Sequence, residues 1–157
     1  MSLQKQVNIY FAKGKAGMKA SDNPVAFYPR TTLADKDGVV IGNFCWMSAE
    51  DGVVQEKVNN DQAPLGFVFG SNRYQLDIDE SASVTIKEGQ SVDVALKGDF
   101  YAVSTEAVTK GMAVYASETD GSIKCQAEGN IPAGYKETGF HALEDAEANE
   151  PFIIEKL

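Results

Sequence analysis

The sequence has few of the residues on which catalytic and metal sites depend. Its 157 residues include one histidine, His141, and two cysteines, Cys45 and Cys125. A zinc site needs about four ligands, and no C-x-x-C pair is present. Phosphate-binding glycine loops and the G-x-S-x-G nucleophile motif are also absent, so nucleotide cofactors and serine catalysis are not indicated. We therefore expect no enzyme activity, no cofactor and no metal ion.

The two cysteines are expected to be buried free thiols, since unpaired cysteine is among the most buried residue types. A disulfide across the fold is the alternative that the sequence leaves open.

Long apolar runs and excess positive charge are missing too. No stretch approaches the roughly 18–20 apolar residues of a membrane-spanning helix, and no signal-peptide segment follows residues 1–5. Lys and Arg number 14 against 23 Asp and Glu, which gives a net charge of −9. Such a charge repels phosphate. We expect synthesis in the cytoplasm and neither a membrane nor a nucleic acid as partner.

Short β-branched and aromatic runs dominate the chain, and Gly, Asp, Asn or Pro interrupts them about every ten residues. Alternation of apolar and polar residues predicts half-buried strands at 7–9, 74–78, 84–86 and 92–96. Continuous apolar runs predict strands covered on both faces at 39–41, 44–47, 65–69, 100–103, 112–116 and 152–154. Turns are expected at Asp37-Gly38, Asp51-Gly52 and Asp120-Gly121. The pattern predicts an all-β fold, a small antiparallel β-barrel or β-sandwich.

Helical signal is weak, with room for one or two turns at residues 104–110 and 142–149. Residues 97–99 are interpreted as a break between strands. Asp77, Asp79 and Glu80 form the densest acidic cluster, which we interpret as a solvated strand face rather than a calcium site.

Residues 1–29 differ in composition from the rest of the chain. This difference predicts an extended N-terminal arm ahead of a single β domain at 30–157. The arm combines apolar side chains with the densest basic patch of the chain. Its candidate contact residues for a partner or a neighbouring copy are Val7, Ile9, Tyr10, Phe11, Lys13, Lys15 and Lys19. The alternatives are a terminus without function and a strand at Val7 to Phe11 that belongs to the domain's own sheet.

Several segments, in their order and spacing, resemble the structural cement or capsid decoration proteins of tailed bacteriophages. They cover the chain from Gly42 to its end. The segments are residues 41–46 (IGNFCW), 63–68 (APLGFV), 92–103, 110–115 (KGMAVY), 137–142 (ETGFHA) and 152–154.

The resemblance implies a small β-barrel or β-sandwich, often jelly-roll-like, that acts as a structural virion protein. Such a protein binds the outer surface of an assembled capsid and reinforces it across the joints between major capsid proteins. The expected partners are therefore the major capsid protein and further copies of the same chain, as a homodimer or a homotrimer. A β-sandwich module that binds a carbohydrate or another surface ligand is the alternative function.

Overall fold

A computed structural model describes residues 13–71 and 84–157, and in these residues the protein is all-β. The described residues contain no helix, and hence none long and apolar enough to cross a membrane. The prediction of an all-β fold is confirmed. The strands are β1 (Ala26–Phe27), β2 (Thr32–Ala34), β3 (Val39–Val40), β4 (Phe44–Met47), β5 (Val53–Gln55), β6 (Gly66–Phe69), β7 (Thr85–Ile86), β8 (Ser91–Val103), β9 (Ala113–Ser117), β10 (Ile123–Gln126), β11 (Tyr135–Ala142) and β12 (Pro151–Lys156).

Five strands close into a small barrel in the order β8-β2-β5-β4-β6, because β6 pairs with β8. All pairs in this ring are antiparallel except β2 with β5, which is parallel. The short pair β3–β7 packs its buried side chains into the same core. The core of this barrel consists of Ala34, Val39, Cys45, Val54, Val68, Ile86, Val92 and Val94.

A second sheet, in the order β10-β9-β11-β12-β8, shares β8 with the barrel. Its inner face packs against the outside of β4 and β6, which explains why most residues of those two strands are buried. The rings of Phe44, Phe67, Phe100 and Phe140 meet there, with centroids between 5.2 and 6.4 Å apart. These edge and tilted contacts join the barrel to the sheet.

Strand β8 runs without interruption through residues 97–99, so the predicted break there is wrong. Gly98 has φ +126°, a value that glycine adopts at little cost. The local bend lets one 13-residue strand serve both layers. Val92 and Val94 face the barrel core, whereas Phe100 and Ala102 face the core between the layers.

The three predicted Asp-Gly turns are present. Gly38, Gly52 and Gly121 have φ values of +77°, +80° and +66°, in the left-handed region that favours glycine. Gly121 closes the hairpin between β9 and β10, and Phe44 N donates a 2.9 Å hydrogen bond to its carbonyl. This hairpin therefore also anchors the start of β4.

The two possible helical turns at residues 104–110 and 142–149 are not formed. Instead Val108 and Ala146 pair with each other through two backbone hydrogen bonds of 2.8 and 3.0 Å. Val108 is buried between the layers. Tertiary burial of this valine outweighs the weak local helical preference.

The predicted strands at 7–9 and 74–78, and the acidic cluster Asp77, Asp79 and Glu80, lie outside the described residues.

Candidate functional site

The described part of the predicted contact region is a tight turn at residues 15–18. Met18 N donates a 3.1 Å hydrogen bond to the carbonyl of Lys15. Gly17 supplies the positive φ, +86°, that a type II turn requires at its third position. This part of the predicted extended arm therefore forms a defined turn.

The turn is fixed to the domain by backbone contacts on both sides. Gly17 N donates to the carbonyl of Tyr101, and Gly70 N donates to the carbonyl of Gly17, both at 2.8 Å. A Cβ at Gly17 would lie only 2.2 Å from Cγ2 of Ile41. Only glycine fits this position. The backbone of the turn is therefore held in place, and so are the residues on either side of Gly17.

Lys15, Met18 and Lys19 project from the turn and are exposed, with Met18 49% accessible. Lys15 and Lys19 form no ion pair within the described residues. Lys13 Nζ lies 3.2 Å from Oε1 of Glu144. We call Lys13, Lys15, Met18 and Lys19 the basic turn, a positive, partly apolar surface on a strongly acidic chain.

Beyond the basic turn, residues 19–28 follow the edge of β8. Lys19 forms an isolated antiparallel β-bridge with Phe100, and β1 pairs with β8 near Ala95. The buried carboxylate of Asp99 secures this segment, because its Oδ2 accepts 2.6 Å hydrogen bonds from Ser21 Oγ and Asn23 Nδ2. The predicted domain boundary at residue 29 stays a prediction.

Of the candidate contact residues, Lys13, Lys15 and Lys19 share the basic turn. The apolar candidates Val7, Ile9, Tyr10 and Phe11 lie outside the described residues. Sequence reasoning missed Met18, which the surrounding lysines and glycines gave no reason to single out. It also missed Asp99, whose position in the supposed break between strands concealed its burial.

No constellation of catalytic groups is visible in the part of the chain that the structure describes. His141 is exposed on β11, opposite Glu155 of β12 and Ala113 of β9. The described residues also contain no group of three His, Cys, Asp or Glu side chains placed to hold a metal ion.

Both cysteines are buried free thiols, as predicted. Burial raises the pKa of each thiol to about 12, and Glu56 adds to the effect on Cys45. At pH 8 we expect native protein to react with a thiol reagent roughly 10³-fold more slowly than an unperturbed cysteine, because only the thiolate reacts. Mass spectrometry should show no early labelling in buffer and two labels in denaturant. Rapid labelling of the native protein would contradict this expectation.

The sequence matches the family model described as XM1 gp53 minor capsid protein over residues 3–155. The chain belongs to this family. The resemblance to a family of phage capsid-associated proteins is thereby confirmed.

A solved structure, the capsid of Myoviridae phage XM1, contains a chain of similar fold. The TM-score is 0.64 at 16% sequence identity, over 99% of this chain and 97% of that one. At this identity the similarity establishes a shared fold. No curated protein matches the sequence.

Proposed function

We propose that this protein is a non-enzymatic component of a phage virion that decorates the outer surface of the capsid and bridges adjacent major capsid proteins. Membership of a minor capsid protein family, over residues 3–155, is the observation that carries the proposal. The shared fold with a chain of a phage capsid supports it. The net charge of −9 favours the outside of the shell over the side that faces DNA.

The basic turn is the proposed contact with the capsid, together with Val7, Ile9, Tyr10 and Phe11. Its backbone hydrogen bonds to β8 and to Gly70, the residue after β6, mean that little conformational entropy is lost when the lysines meet a partner. Exposed lysines beside an exposed methionine suit an acidic partner surface with an apolar centre.

Bridging strengthens the shell through multivalency. A homo-oligomer that touches several capsid subunits gains avidity of roughly 10²–10⁴ over a single contact. Displacing one capsid subunit then requires breaking the contacts of its neighbours as well. We propose a homodimer or a homotrimer.

The structure gives little support to the carbohydrate-binding alternative. A sugar platform needs a row of exposed aromatic rings, but the described residues hold one exposed aromatic side chain, Phe27. Its ring packs edge-on against Phe69 at 5.3 Å. The other large aromatic side chains are buried or half-buried.

Shells assembled without this protein test the proposal. Added wild-type protein is expected to sediment with the shells and to raise the temperature at which they open. Lys15→Glu with Lys19→Glu should lower the affinity about tenfold or more, since reversed charges repel an acidic partner.

The matched control is Lys36→Glu with Lys57→Glu, which makes the same change in net charge at exposed sites away from the basic turn. Wild-type protein that fails to bind the shells would refute decoration. A doubly reversed basic turn that binds as well as the control would remove the basic turn from the contact.

A further inference from the structure

Three adjoining hollows at the end of β12 share one side chain, Lys156. They measure about 170, 450 and 520 Å³, and Lys97 lines the first two. They lie where the bend of β8 meets the end of β12 and the middle of β11. We call these three hollows together the lysine groove.

The two lysines of the groove are close enough for their charges to repel each other. Lys156 is half-buried, donates a 2.8 Å hydrogen bond to the carbonyl of Thr138 and lies 5.5 Å from the ring centre of Phe140. Burial, and then the charge of Lys97, lower the pKa of Lys156. Neither lysine forms an ion pair within the described residues. A carboxylate placed between them would relieve this repulsion.

Asp61, Asp99 and Glu137 also line the hollows, but within the described residues none of them forms an ion pair with Lys97 or Lys156. Asp99 lines the 450 Å³ hollow, but it is 3% exposed, its Oδ2 is held by Ser21 and Asn23, and its buried Oδ1 accepts no hydrogen bond within the described residues. At the far end Lys136 is paired with Asp61 and with Glu118. Leu157 adds an apolar rim beside Lys156 and is 86% exposed.

The opposite end of β12 carries the complementary charge on the loop of residues 143–150, here called the acidic loop. Glu144 is paired with Lys13, and Asp145 Oδ1 accepts a hydrogen bond from Lys110 N. Glu147 and Glu150 are exposed and form no ion pair within the described residues. The acidic loop therefore offers two free carboxylates.

The groove and the loop cannot meet within one copy. Strand β12 separates them, pairing Pro151 with Val103 at the loop end and Lys156 with Gly98 at the groove end. Six residues of strand span roughly 17 Å. Two copies arranged head to tail can bring them together.

We propose that the lysine groove of one copy binds the acidic loop of a second copy, with Glu147 and Glu150 facing Lys97 and Lys156. A contact between two different surfaces of the same chain is heterologous, and repeated contacts form a closed ring, such as a homotrimer, when the rotation between successive copies closes. The inference deepens the proposed function, on whose self-association it rests, and assigns the surfaces that associate.

Charge reversal with rescue tests the contact. Wild-type protein is expected to form an oligomer in light scattering at low salt, and its dissociation constant should rise with salt. Lys97→Glu with Lys156→Glu should raise that constant about tenfold or more, and Glu147→Lys with Glu150→Lys should do the same. The chain that carries all four changes should recover the oligomer, because each groove again meets a loop of opposite charge.

Two further variants control for misfolding and for the change in net charge. Because Lys156 packs on Phe140, the single change at exposed Lys97, Lys97→Glu, repeats the test with less risk to folding. Lys36→Glu with Lys57→Glu, the control for net charge, should leave the oligomer intact.

The inference would be overturned if wild-type protein were a monomer at every concentration, or if the groove changes did not weaken the oligomer. It would also be overturned if the variant with all four changes did not recover the oligomer. An oligomer that persists while the groove variant loses binding to shells would assign the groove to the capsid protein and refute self-contact. Failure of wild-type protein to bind shells would instead refute the proposed function, whatever the state of the oligomer.

Discussion

Gly121→Ala is expected to lower the free energy of unfolding by about 3 kcal/mol or more, a large fraction of the roughly 5–15 kcal/mol that stabilises a typical domain. A Cβ at this position would lie 2.0 Å from the carbonyl oxygen of Phe44, which is backbone and has little freedom to move. The positive φ of +66° adds strain for any residue with a side chain. Relief requires the β9–β10 hairpin to separate from β4. Urea unfolding followed by tryptophan fluorescence of Trp46 measures the loss.

Gly129→Ala is the matched control. Gly129 also has a positive φ, +84°, yet a Cβ there would meet no atom within 4 Å. It should cost about 1 kcal/mol from backbone strain alone. Equal losses at the two glycines would show that the contact between Gly121 and Phe44 is unimportant.

A chain that begins at Lys13 is expected to fold but to bind shells roughly 10²-fold more weakly. The reason is that one contact of a multivalent set, the part with Val7 and Phe11, would be removed. Cutting at Phe27 would be a poorer test, because Asp99 would lose Ser21 and Asn23 and keep a buried, unpaired charge. Removing one partner of a buried charge typically costs several kcal/mol. Thermal unfolding and co-sedimentation with shells measure the two effects separately.

Two outcomes would contradict the arm hypothesis. A truncated chain that does not fold would favour residues 7–11 as a strand of the domain's own sheet. A folded truncated chain with full affinity would show that these residues take no part in binding.

Much of the fold could be predicted because many of its strands have a recognisable pattern in the local sequence. The predicted apolar runs correspond to β3, β4, β6, β9, β12 and the second half of β8. The Asp-Gly pairs form turns. Alternation fails at Gly98, where a bend lets β8 continue across an apparent break. It also cannot reveal the parallel pairing of β2 with β5 that helps close the barrel, since that pairing depends on contacts distant in sequence.

The candidate site could be predicted only where its residues are neighbours in sequence. Lys13, Lys15 and Lys19 lie within one stretch of seven residues. Lys97 and Lys156 are far apart in sequence, and only the antiparallel pairing of β8 with β12 brings them together. No local pattern distinguishes them from solvated lysines on any strand.

We propose above all that this protein lies on the outside of a phage capsid and joins neighbouring capsid proteins. A cryo-electron microscopy reconstruction of shells with and without added protein tests it most directly. We expect additional density on the outer surface, into which the barrel and the sheet fit, with contacts to at least two major capsid proteins. Density on the inner surface, or a single contact to one capsid protein, would contradict it.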